Sequence, residues 1–239
     1  MTAAPTAALA QARAPATPDA TTPSRTATDE GTPALDPAAR PLVDLEKAPP
    51  PPTNVVYLQY GVAFTADFVS TPGPICDNVT VPCILGNGGG LTVRLGWRGS
   101  GPLYLGGAYE VAKLDPNKLY RLALLQQLRF ESRYYLASGR ATDPYVVGSA
   151  GLAGYGNEWG VDTFGPSGGL GLGIETQITR RTVVGVALAY RLVWMKSFRD
   201  TSGADRDSGV AQLFGFDLVL EQRDPIFTGA RDANSPSPP

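Results

Sequence analysis

Residues 56–68 read Val-Tyr-Leu-Gln-Tyr-Gly-Val-Ala-Phe-Thr-Ala-Asp-Phe. Val56, Leu58, Tyr60, Val62, Phe64, Ala66 and Phe68 share one parity, while Tyr57, Gln59, Gly61, Ala63, Thr65 and Asp67 share the other. Side chains alternate sides along an extended backbone, so this segment is a strand with one greasy face and one small or polar face.

The same alternation recurs down the chain. Leu91, Val93, Leu95 and Trp97 oppose Thr92, Arg94, Gly96 and Arg98. Beyond a turn at Gly99-Ser100-Gly101-Pro102, Leu103, Leu105, Gly107, Tyr109 and Val111 oppose Tyr104, Gly106, Ala108, Glu110 and Ala112. A fourth segment sets Tyr120, Leu122, Leu124, Leu128 and Phe130 against Arg121, Ala123, Gln127, Arg129 and Glu131. Residues 119–136 also fit an amphipathic helix, but the run into Ser138-Gly139 favours a strand entering a turn. A fifth strand, from about Pro144 to Tyr155, is so rich in Gly and Ala that its facing is ambiguous. The sixth sets Leu170, Leu172, Ile174 and Ile178 against Gly169, Gly171, Gly173, Glu175 and Gln177. The seventh sets Val184, Val186, Leu188, Tyr190, Leu192 and Trp194 against Gly185, Ala187, Ala189 and Arg191. The eighth sets Val210, Phe214, Phe216, Leu218 and Leu220 against Ala211, Gly215, Asp217 and Glu221.

Eight alternating strands suit a soluble barrel or a membrane one, and the second face decides between them. Outside a soluble barrel that face would carry many Lys, Glu and Thr. Here it is mostly Gly and Ala, interrupted by Asp67, Arg94, Glu110, Arg121, Arg129, Glu131, Glu175, Arg191 and Asp217. Small residues with paired charges fit the narrow inside of an eight-stranded barrel, which side chains fill. These nine residues are therefore read as a lumenal ion-pair network, and the bulky face as the one in lipid. Several segments also match the roughly 9–11 tilted residues that cross a bilayer. Trp97, Tyr109, Tyr120, Tyr134 and Trp194, with Phe68, sit near the ends of apolar faces and are expected at the membrane interfaces. Connections near 70–88, 156–165 and 195–208 read as long, those near 99–102, 138–143 and 179–181 as short. That asymmetry separates outer loops from periplasmic turns. The short connection at 114–118, which falls on the outer side, is the exception. The expected fold is all-β: an eight-stranded antiparallel up-and-down transmembrane β-barrel over 55–221, with a disordered N-terminal segment.

Residues 1–54 are dominated by Ala, Pro, Thr and Asp, with no aromatic before Tyr57. Such a stretch cannot bury enough apolar surface to offset the entropy of ordering it, so a disordered linker is expected there. Ala8-Leu9-Ala10-Gln11 reads like the small-residue end of a signal peptide whose start lies upstream, although plain alanine-rich sequence reads the same way. A polar disordered tail is expected at 222–239. Cys76 and Cys83 lie close together in a Pro/Asn/Gly-rich loop and suggest a disulfide in an oxidising compartment.

The chain resembles the outer-membrane protein A-like and X-like family of small β-barrels over about residues 55–221. Arg133-Tyr134-Tyr135-Leu136, Pro144-Tyr145-Val146-Val147-Gly148, Gly151-Leu152 and Gly168-Gly169-Leu170-Gly171-Leu172-Gly173-Ile174-Glu175 carry the resemblance. It implies a Gram-negative outer-membrane location, with lipid and lipopolysaccharide as surroundings. The family usually ends on an aromatic strand residue that signals assembly. Here Gln222–Pro239 follows Glu221, so an internal signal around Phe214 and Phe216 is one alternative.

Chemistry is sparse. The chain has no histidine, so a Ser-His-Asp arrangement is impossible, and two thiols make a poor metal site. No catalytic, cofactor or metal residue is assigned. Gly171-Leu172-Gly173 looks like a piece of a dinucleotide fingerprint, but no helix follows it. A net charge of −2 argues against a nucleic-acid surface. Three readings remain: a non-enzymatic barrel with structural, adhesive or surface-binding outer loops, a narrow pore for small solutes, and a soluble lipocalin-like ligand carrier. A monomer is the expectation, with oligomeric state left open.

Overall fold

A computed structural model describes residues 55–77, 81–115, 119–137 and 140–228. The barrel strands are β1 (Val55–Thr71), β2 (Gly88–Arg98), β3 (Leu103–Leu114), β4 (Ala123–Tyr135), β5 (Thr142–Asn157), β6 (Thr163–Gln177), β7 (Thr182–Met195) and β10 (Gly209–Thr228). Between the last two, β8 (Phe198–Arg199) and β9 (Asp205–Arg206) form a separate two-residue hairpin. Around the barrel the order is β1-β10-β7-β6-β5-β4-β3-β2, every pair antiparallel and the circle closed. Closure leaves no barrel edge unpaired, which a strand protein needs where no water can satisfy its backbone.

One end carries the connections at 99–102, 136–141 and 178–181, together with the start of β1 and the end of β10. We call it the turn end. The loop end carries 72–87, 115–122, 158–162 and 196–208.

Several boundaries differ from the sequence reading. β4 begins at Ala123, so the connection before it is longer than expected and the anomaly at 114–118 disappears. Conversely, the connection expected at 156–165 is a short link, because β5 runs to Asn157 and β6 starts at Thr163. Residues 123–135 are strand, not helix: Leu103↔Tyr134 through Leu114↔Ala123 pair in unbroken register. The last strand continues past Glu221 to Thr228, against β1. Gln222–Thr228 is thus strand, because β1 extends equally far to meet it. The linker read at 1–54 and the rest of the tail lie outside the described residues.

Strand facing follows parity throughout. β5, ambiguous in sequence, turns Asp143, Tyr145, Ala153 and Tyr155 inward and leaves Leu152 exposed. The bore is narrow, and two aromatic rings lie flat over glycines of a neighbouring strand. A Cβ at Gly173 of β6 would overlap the Tyr145 ring of β5, and one at Gly96 of β2 would overlap Tyr104 of β3. Glycine there makes room for the tyrosine, an arrangement that also covers its bare backbone.

Candidate functional site

The interior is charged along much of its length. At the turn end, Arg133 of β4 donates to Glu221 of β10 through Nη1 (2.9 Å) and Nη2 (2.8 Å), and to Glu175 at 2.9 Å. Arg98 pairs with Asp143 at 3.0 Å and lies 3.8 Å over the Tyr135 ring. Arg223 reaches Glu175 and Gln59. Further toward the loop end, Arg191 of β7 meets Glu110 of β3 at 3.0 Å, Asp67 at 3.1 Å and Asp217 at 3.4 Å. Arg129 donates to Glu110 at 2.6 Å, and Arg94 to Asp217 at 2.5 Å. All of these groups are buried. Buried charges demand partners, and forked guanidiniums answering several carboxylates supply most of them. The cavity left among Arg94, Arg129, Arg133, Ser149 and Arg191 is ≈ 20 Å³, room for about one water.

With Glu131, which meets Arg94 at 3.3 Å and Arg133 at 3.5 Å, eight of the nine residues expected in the network are brought together. Arg121 is not one of them. It lies before β4 begins, its side chain is 87% exposed, and it pairs with Glu158 at 3.3 Å. Arg98, Arg133, Asp143, Glu221 and Arg223 belong to the network and went unassigned. Parity would have found them: Arg133 follows Arg129 and Glu131 at intervals of two, and Glu221 and Arg223 follow Asp217.

Toward the loop end the lumen changes character. Leu114, Leu125, Tyr155, Met195 and Leu213 face inward and form an apolar cluster with Ile75, Ile84 and Leu85 of the connection between β1 and β2. Cys76 and Cys83 of that connection form a disulfide. Tyr120 belongs to this cluster, its ring 5.9 Å from Tyr155, and is not at a membrane interface as expected. The sequence reading saw an outer loop here.

The outside is the reverse of the inside. Leu91, Val93, Leu95, Leu128, Phe130, Leu152, Leu170, Leu172, Leu188, Phe214, Phe216 and Leu218 are exposed. On β10 the outward apolar run from Phe214 to Leu220 is bounded by Gln212, which accepts from Tyr190, and by Gln222 and Asp224, which accept from Tyr60. Trp97 and Tyr134 are exposed near the turn end, Phe68 and Trp194 near the loop end. Tyr109 is exposed too, but lies near the middle of β3 and donates to Gln126. A continuous apolar exterior around a charged interior is the inverse of a water-soluble barrel, and only a bilayer accommodates it. The lipocalin-like reading is thereby corrected: Leu91, Val93, Leu128, Phe130 and Phe216 point away from the lumen, whose middle is occupied by buried charged side chains. The protein is a transmembrane β-barrel of the outer-membrane type.

Neither a protein-family model nor a curated protein matches the chain. Among solved structures, it is similar to Neisserial surface protein A at 15% identity, over 70% of this chain and 95% of that one, with a TM-score of 0.45. It is similar to the outer membrane protein OprG from Pseudomonas aeruginosa at 13%, over 72% and 96%, with a TM-score of 0.42. The outer membrane protein AlkL, solved in DMPC bilayers, is 14% identical over 77% and 97%, with a TM-score of 0.47.

Proposed function

We propose that the chain is a non-enzymatic protein of the Gram-negative outer membrane that acts through its loop-end surface, as a structural, adhesive or surface-binding barrel set among lipid and lipopolysaccharide. One observation carries this reading. The lumen is filled, by cross-barrel ion pairs in one part and an apolar cap in the other. A blocked interior leaves the loop-end surface as the part of the molecule that meets the outside. The exposed Trp159 and Val161, the Arg121–Glu158 pair and the β8–β9 hairpin belong to that surface.

The buried carboxylates are structural in this reading. Each faces arginine, and their spacing follows strand period and no catalytic motif. A pore would need the network displaced.

The test has two arms. Protein reconstituted into planar bilayers is expected to give no steady conductance. Cells displaying a variant with 197–207 replaced by a short Gly/Ser turn are expected to lose binding to surfaces that cells with the intact chain bind. Steady channels, or binding unaffected by replacing each loop-end connection in turn, would defeat the proposal.

A further inference from the structure

The cap at the loop end has two arms, residues 73–76 and 82–85, tied to each other by the disulfide. Ile75 comes from one arm, Ile84 and Leu85 from the other, and all three are buried over the apolar mouth of the lumen. A single guanidinium holds both arms. Arg206, 2% exposed, donates from Nη1 to the Ile75 carbonyl at 3.2 Å and from Nη2 to the Pro82 carbonyl at 3.0 Å. Asp200 holds Arg206 in turn, through Nε at 2.9 Å and Nη2 at 2.8 Å. Tyr155, rising from the barrel wall, donates its hydroxyl to the Ile84 carbonyl.

This arrangement depends on the bridge. Arg206 can grip both carbonyls only while the arms stay a fixed distance apart, and the sulfur–sulfur bond sets that distance. Three apolar side chains are a small area to keep a loop folded, so the cross-link's restriction of the open state matters.

We propose that Cys76–Cys83 fastens a redox-sensitive plug. With the disulfide intact, the apolar vestibule around Met195 is closed to water. A dithiol reductant converts it to two thiols, taking up two electrons and two protons from the dithiol, which leaves as its own cyclic disulfide. The arms then separate and the vestibule is wetted. This goes beyond the surface-binding role and does not require it.

Met195 reports the state of the plug, because it is buried in the vestibule at 1% exposure and dilute hydrogen peroxide converts a reachable thioether to the sulfoxide. The full chain in lipid vesicles would be exposed to peroxide and the Met195 peptide weighed over time. C76S/C83S is expected to oxidise about tenfold faster than the disulfide form, or more. R206K, which keeps a charge for Asp200 but loses the fork, is expected to shift the same way. Because the serine variant could fail to assemble, folded wild-type protein is also treated with dithiothreitol and followed by hydrogen exchange at 193–195 and 211–213. Faster exchange there, with tryptophan emission from the lipid face unchanged, supports the plug. Equal protection of Met195 in all folded forms would overturn it, and so would rapid oxidation with the disulfide intact.

Discussion

Arg133 and Glu221 stand on opposite walls of the barrel, four strands apart either way round, and meet in a two-pronged ion pair of 2.9 and 2.8 Å. The Tyr104 and Tyr145 rings flank the guanidinium at 4.6 and 5.4 Å. Arg191 and Glu110 form a second tie between facing strands. The lumen is thus crossed by ion pairs between facing strands.

Removing one end of a brace strands the other in a buried site. Glu221→Gln and Arg133→Met should each destabilise the barrel by about 3–5 kcal/mol. The double variant should cost less than the sum, with a coupling of about 0.5–3 kcal/mol. Denaturant unfolding in lipid vesicles measures all three. Additive losses would mean that the pair is incidental.

The lipid face should reject charge. Leu170 is 71% exposed in the middle of β6, and Leu170→Arg should cost about 2–4 kcal/mol, falling toward zero for arginine placed at the rims. The same unfolding assay reads it. A neutral effect at Leu170 would indicate that this face meets water.

Depth can be read without mutation. Bromine-labelled acyl chains should quench Trp97 and Trp194 from positions near opposite interfaces. Trp159, 72% exposed in the connection after β5, should respond least. Uniform quenching of all three would contradict the assignment of turn end and loop end.

Acid should loosen the cap. Burial opposes charge on Asp200, but hydrogen bonds from Ser202 and Arg206, the Ala204 amide and the Arg206 charge outweigh it and hold the carboxyl below its usual value. A lowered folded pKa means that its stabilisation is full above the ordinary aspartate value of about 3.9 and is lost as pH falls through the lowered one. Protection of the Ile75 and Ile84 amides, taken relative to their intrinsic exchange rates at each pH, should therefore hold at pH 5 and fall only below about pH 4. Asp200→Asn should remove that pH dependence.

Opening the cap should not by itself make a channel. C76S/C83S should remain electrically silent in planar bilayers, because the Arg191–Glu110 and Arg133–Glu221 braces still cross the bore. Conductance in that variant would show that the cap, and not the network, is the seal.

Much of this was legible in the chain. Period-two alternation marks seven of the eight barrel strands, and the small, intermittently charged face identifies the inside. What escaped had physical causes. β5 was ambiguous because Gly148, Ala150 and Gly151 carry no signal of facing. Tyr120 and Arg121 continue the alternation of β4 in sequence, although the strand itself begins at Ala123. The cap was invisible because nothing in Ile75-Cys76 or Cys83-Ile84-Leu85 tells a loop whether to face solvent or fold back into a barrel mouth. Cross-barrel partners such as Arg133 and Glu221 are 88 residues apart, so parity predicts the wall but not who meets whom.

The barrel is closed by pairing its first strand with its last, from Val55↔Thr228 to Thr71↔Gln212. Glu221, Asp217 and Arg223, which answer Arg133, Arg94 and Glu175, all arrive on that last strand. A chain that stops short of β10 therefore carries two raw sheet edges and at once lacks Glu221 and Asp217 from the buried charges around Arg133 and Arg94. Completion is its own proofreading step: an unfinished molecule cannot hide in the membrane as a slightly weaker version of the finished one, and is left recognisable to whatever clears failed products.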